Sequence, residues 1–277
     1  MNAGLRWAPV VGMIAALAVS VAAANDPPDA PATQPALDPA IDRILTRLEA
    51  RTVDDLHARI TWERRYDVAA EDETDVKIGE LWYKRLTPIS KFKVAFSRKV
   101  VANRRIPLDE QYLFDGLWFI ELNAQARTVI RREVRRENDP VNPYKLGEGP
   151  FPLPFGQKKE DILAEFTVTL APPAKDDPAD TDQLRLVPRA GTQTEKRFSD
   201  LRFGIVRTGA LEGLPIRVMA AHKSGTCRVD SYSTLSFDEV KLNTGFGAGT
   251  FEIRTPGGFE EVVERLEPIT PPPAGRP

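Results

Sequence analysis

From Leu56 onward, apolar side chains return at every second position. Leu56, Ala58, Ile60, Trp62, Tyr66 and Val68 alternate with His57, Arg59, Thr61, Glu63, Arg65 and Asp67, the pattern of a strand with one face buried. Arg64 interrupts the apolar face and needs a partner or water there. His57 falls on the polar face and reads as a solvated strand residue. The same period marks Ile78–Leu86, Lys91–Ala102, Gln111–Phe114, Leu117–Leu122 and Thr128–Val134, with Phe92, Val94 and Phe96 on one face of the second of these. Further segments are Phe166–Leu170, Gln183–Val187, Leu201–Val206, Ile216–His222, Val229–Leu242 and Thr250–Arg254. Asp115-Gly116 is a type I′ hairpin signal. About ten strands on short turns predict an antiparallel sheet, closed or half-closed into a barrel. The missing βαβ rhythm argues against a nucleotide-binding α/β fold.

One helix precedes the strands. Asp38 is an N-cap, Pro39 fits the first helical position, and Ile41, Ile44, Leu45 and Leu48 form an apolar stripe. Between Asn138 and Glu165 neither period holds. Pro140, Pro143, Pro150, Pro152 and Pro154 punctuate Tyr144, Leu146, Phe151, Leu153 and Phe155, which predicts a surface loop or a cover. Residues 172–182 (PPAKDDPADTD) read as a solvated hairpin extension.

Composition removes several kinds of chemistry. With 38 Lys+Arg against 40 Asp+Glu, the chain lacks the basic excess of a nucleic-acid binder. A single cysteine, Cys227, allows no internal disulfide, and His57 and His222 leave little for a metal site. Cys227 and His222 could meet across a hairpin, but no orienting third group is evident. Gly245, Gly247 and Gly249 lie between strands with no helix after them, so they read as a turn and not a phosphate loop. No catalytic residue, metal ligand or cofactor is expected. Two basic groups stand out: Lys84, Arg85, Lys91, Lys93, Arg98, Lys99, Arg104 and Arg105, then Arg127, Arg131, Arg132, Arg135 and Arg136. Both read first as solvated strand faces, and second as a surface for an acidic partner or anionic headgroups.

The ends suggest export. Residues 1–24 read as a secretory signal: Arg6, an apolar run from Val10 to Val21, and Ala22-Ala23-Ala24 for cleavage near Ala24. A membrane anchor is the competing reading, but Pro9, Gly12 and the acidic flank at Asp26 favour cleavage. Residues 25–37 form a Pro/Ala-rich linker and 268–277 a Pro-rich tail, neither apolar enough to offset ordering entropy. Residues 38–267 remain as one domain.

Several motifs, in order, resemble the LolA family of periplasmic lipoprotein carriers. Gly79-Glu80-Leu81-Trp82-Tyr83-Lys84-Arg85 is similar to the family's G-x-L-W-x-K-R-P, with Leu86 in place of the proline. Phe114-Asp115-Gly116-Leu117-Trp118 resembles its S-D-G-x-x-L-W hairpin, and Leu186-Val187-Pro188-Arg189 its L-x-P-K. The strand Thr234–Asn243 and the run Phe251–Gly258 match its C-terminal pattern. The resemblance implies an incomplete antiparallel β-barrel, mainly β, with an N-terminal helix and a helix or loop cover over an apolar cavity. The cavity would shelter lipoprotein acyl chains. Leu81, Tyr83, Phe92, Val94 and Phe96 are the expected lining, and Leu146, Phe151, Leu153 and Phe155 the expected lid. Arg85 takes the place of the family's lid-latching arginine, on the same face as Leu81 and Tyr83. A soluble periplasmic monomer follows, loaded by an inner-membrane lipoprotein-releasing complex and emptied to an outer-membrane acceptor. The alternatives are a lipoprotein-sensing regulator of the same fold and, more remotely, an enzyme built on it.

Overall fold

The computed structural model describes residues 37–66, 74–87, 89–101, 104–136, 156–223 and 229–267, in a compact unit that begins at Leu37. The expected leader, linker and tail, Cys227, and the cover residues Leu146, Phe151, Leu153 and Phe155 lie outside the described residues. Helix α1 (Pro39–Ala50) starts where its cap predicts, with Asp38 Oδ1 accepting from the Ala40 amide at 2.7 Å. Its stripe of Ile41, Ile44, Leu45 and Leu48 is buried. Polar contacts hold it to the sheet rim: Arg47 pairs with Asp182, and Arg51 donates to the Ala210 carbonyl at 2.5 Å.

The strands are β1 (Asp55–Tyr66), β2 (Thr74–Lys84), β3 (Lys91–Val101), β4 (Arg104–Phe114), β5 (Trp118–Asn123), β6 (Thr128–Glu133), β7 (Phe166–Leu170), β8 (Thr181–Pro188), β9 (Phe198–Val206), β10 (Pro215–Lys223), β11 (Val229–Leu242) and β12 (Glu260–Glu264). They form a 12-stranded sheet in the order β12-β6-β5-β4-β3-β2-β1-β11-β10-β9-β8-β7. Among the described residues the sheet does not close on itself, and β7 and β12 are its edges. This is the mainly β, half-closed architecture that the alternation predicts. Two short helices that no periodicity announced, α2 (Lys159–Glu165) and α3 (Gln193–Arg197), lead into β7 and β9.

Because strand side chains alternate, register places distant residues on one face. The inner face carries Leu56, Ala58 and Ile60 of β1, opposite Tyr83, Leu81 and Gly79 of β2. It continues through Phe237 and Leu235 of β11, Val218 of β10, Phe203 of β9 and Leu184 of β8. Two apolar clusters occupy it. One joins α1 and Ile162 of α2 to β7–β10; the other joins β1–β5 and β11 with Val53 and Leu214 and takes no side chain from α1.

Several expectations are corrected. Thr250–Arg254 is not a strand: the glycines before it and Pro256 after it break pairing, and the segment crosses the outer face, burying Ile253 with Leu113, Ile120, Leu122 and Val129. The last strand is β12, and it runs parallel to β6, so the sheet is not wholly antiparallel. The β4–β5 turn centres on Gly116-Leu117, one residue later than expected; Asp115 Oδ1 accepts from the Leu117 and Trp118 amides at 3.0 and 2.8 Å. Gly116, at φ +110°, opens the turn, a conformation costly for other residues. Strand β4 begins at Arg104 despite Pro107, which pairs with Arg98 beside a β3 bulge, where a missing donor is tolerated.

The 172–182 extension is not merely solvated. The Asp177 side chain is only 5% exposed and accepts from Arg202 at 2.6 Å, with Arg217 3.9 Å away. The second basic group is also largely paired. Arg131 meets Glu261 at 2.5 Å, while Arg132 meets Glu121 and Glu264, so the acidic edge strand β12 is clamped to β6.

Candidate functional site

The five expected lining residues come together. Leu81 and Tyr83 of β2 face Val94 and Phe92 of β3, and Phe96 lies opposite Gly79. All five are buried in the second inner-face cluster. Aromatic rings that sequence reading did not single out join them: Phe92 lies 6.0 Å from Phe114 and 6.5 Å from Phe119, and Phe96 lies 6.1 Å edge-on from Tyr112. Tyr83 shares a hydrogen bond with Ser90 at 3.0 Å; burial pushes its phenol pKa up, and that bond partly offsets the rise. Burial, then the Glu110 and Glu121 carboxylates, raise the Tyr112 phenol further.

Gly79 permits a close approach within this cluster. A Cβ built there would lie 2.1 Å from the Ala95 carbonyl oxygen and 2.7 Å from Phe96 Cα. The β3 bulge begins at this point, and a side chain has no room.

Arg85 is placed differently from the lining residues. It stands one position past β2, exposed, with Nη2 2.5 Å and Nε 3.1 Å from Asp54 Oδ1. The buried alternation ends at Tyr83, because pairing with β1 stops at Lys84↔Asp55. The residues it was expected to latch lie outside the described residues.

Toward the other end of β1–β4, the inner face turns polar. Lys77, in phase with Leu81 and Tyr83, is buried and pairs with Glu110 of β4 at 2.5 Å. Its ammonium lies 5.3 Å from the Trp62 ring centre and 5.9 Å from that of Phe96, a cation–π cage. Tyr112 donates to the same Glu110 oxygen at 3.2 Å. Lys99 pairs with Asp75 at 2.7 Å. Sequence reading began this strand at Ile78 and so missed Lys77, although counting back by two from Tyr83 reaches it.

Among the described residues, nothing else gathers into a reactive constellation. His57 stacks on Trp82 at 5.3 Å on the outer face and meets Glu80 at 2.9 Å. His222 shares a 2.6 Å hydrogen bond with Ser233. Among the described residues, no group of three or more His, Cys, Asp or Glu is placed to hold a metal ion. No described helix is long and apolar enough to cross a membrane.

No family model and no curated protein matches the sequence. Solved structures do resemble it. An uncharacterised conserved protein from Thermus thermophilus aligns over 81% of this chain and 99% of its own, with 11% identity and a TM-score of 0.46. A Vibrio parahaemolyticus domain described as sorting outer membrane lipoproteins aligns over 76% and 94%, with 12% identity and a TM-score of 0.32. A LolA superfamily protein from Nitrosomonas europaea, to which the chain is similar over 76% of its length and 97% of that protein's, shows 12% identity and a TM-score of 0.37.

Proposed function

We propose that this protein is a periplasmic carrier that holds the acyl chains of lipoproteins on the inner face of its unclosed sheet and delivers them toward the outer membrane. One observation carries the reading: the cluster on β1–β5 and β11 is large, apolar and rich in aromatic rings, and it takes no side chain from α1, the helix that covers the other half of the face. Each buried methylene is worth about 0.8 kcal/mol, so a dozen supply on the order of 10 kcal/mol. The signal-like first 24 residues support an exported location. Carriage needs no covalent step, and the reading includes that the chain is not an enzyme. It is loaded and emptied as a monomer, by a releasing complex and an acceptor.

Native mass spectrometry of the protein purified from its own periplasm tests this. Co-purifying acylated protein or peptide is the expected result. Protein free of acylated species, which also fails to bind a fluorescent fatty acid, would remove the reading.

A further inference from the structure

Among the described residues, the polar end of the inner face holds more positive than negative charge. Lys77 faces Lys99 directly across β2–β3, and Arg64 lies one register step away on β1, opposite Asp75. Two carboxylates serve these three cations: Glu110 pairs with Lys77 and Asp75 with Lys99. Arg64 is left with the Ser231 hydroxyl, at 3.3 Å, and its Nε is buried with no acceptor. Three other arginines, Arg47, Arg51 and Arg217, also have a buried Nε without an acceptor. Each of those, however, gives at least one other nitrogen to a carboxylate or a backbone carbonyl. Among the described residues Arg64 has neither: its guanidinium lies 4.8 Å from the Tyr66 ring centre, and its one hydrogen-bond acceptor is a neutral hydroxyl, so its charge meets no carboxylate.

A guanidinium donates in a fork that matches a carboxylate or phosphate, and its attraction for an anion is stronger where water is partly excluded. Trp62, next but one along β1, and Phe96 lead from this point into the apolar cluster. We infer that the inner face takes an anionic amphiphile, with the acyl chain on the Leu81–Phe96 surface and the anionic headgroup on Arg64, beside Lys77 and Lys99. The inference rests on the acyl-chain reading above and adds the orientation of the ligand and its charge. The apolar run beside Arg64 is what favours an amphiphile over a free ion.

The test compares a fluorescent fatty acid with its methyl ester at pH 8, on the full chain and on two variants. Arg64→Gln removes the charge on the inner face. Arg59→Gln removes one charge from the same strand on the outer face, where Arg59 pairs with Glu239. The parent should bind the acid at least about 10-fold more tightly than the ester. Arg64→Gln should abolish that preference while leaving ester affinity unchanged, and Arg59→Gln should keep it. Millimolar inorganic phosphate should not compete; competition by phosphate that spares the ester would make this a free-anion site and overturn the proposal. Equal binding of acid and ester by the parent, or a preference that survives Arg64→Gln, overturns the inference alone. Loss of binding for both ligands in the parent removes the acyl-chain reading and the inference with it.

Discussion

Lys77 and Glu110 form an ion pair that spans β3, joining β2 to β4 across the inner face at 2.5 Å, with both side chains nearly enclosed. Burying such a pair gives little net stability over an apolar pair, but breaking it strands a charge. Lys77→Met should therefore destabilise the fold by about 3–5 kcal/mol, and Lys77→Met with Glu110→Leu should recover most of that loss. Urea unfolding of the two variants checks it; equal stabilities would mean that the pair is solvated.

Arg85 tests the latch reading. Its pair with Asp54 is exposed, so Arg85→Leu should change unfolding stability by no more than about 1 kcal/mol. If Arg85 also holds a cover in the empty protein, the variant should retain cargo more tightly, by about 1.5–3 kcal/mol for each bond lost. Lys84→Leu is the control. Release of a loaded lipopeptide to acceptor membranes decides the matter, and an unchanged rate would end the latch assignment.

Gly79→Ala should cost about 1–3 kcal/mol, because β3 must move away from a Cβ that meets the Ala95 carbonyl. Thermal unfolding reads the loss. Gly247→Ala, where a Cβ meets nothing, should be close to neutral.

Asp177→Ala should destabilise by about 3 kcal/mol, since Arg202 and Arg217 would lose a buried carboxylate. Proteolysis of the 172–182 hairpin should accelerate in the same variant. A hairpin cleaved no faster than in the parent would return it to a solvated extension.

The edge strand β12 should loosen in acid. The Thr255 hydroxyl and the Arg131 guanidinium hold the Glu261 carboxyl below its ordinary pKa of 4.5. A depressed folded pKa gives stability that is complete above the unfolded value and is lost as pH falls through the folded one. Hydrogen exchange in Glu260–Glu264 should therefore rise below about pH 4.5 sooner than in β9 or β10. Thr255→Val lets the folded pKa rise toward 4.5, so it should loosen β12 already at neutral pH and shrink this acid-dependent rise.

Strand identity and facing were legible along the chain because period two is a local property. Leu56, Ala58 and Ile60, and Phe92, Val94 and Phe96, could be assigned to a buried face before any partner was known, and Asp38-Pro39 announced α1 in the same way. Partner choice was not local. That β12 would add in parallel to β6 depends on Arg131 and Arg132 meeting Glu261 and Glu264, residues about 130 positions away. Thr250–Arg254 alternates like a strand, yet it serves as cover for Leu113 and Val129 on the outer face. The phase that puts Lys77 inside was present in the sequence, but its meaning was not. A buried lysine is costly until a carboxylate two strands away and two aromatic rings enclose it, and only the register of β1 through β4 brings Glu110, Trp62 and Phe96 to that place.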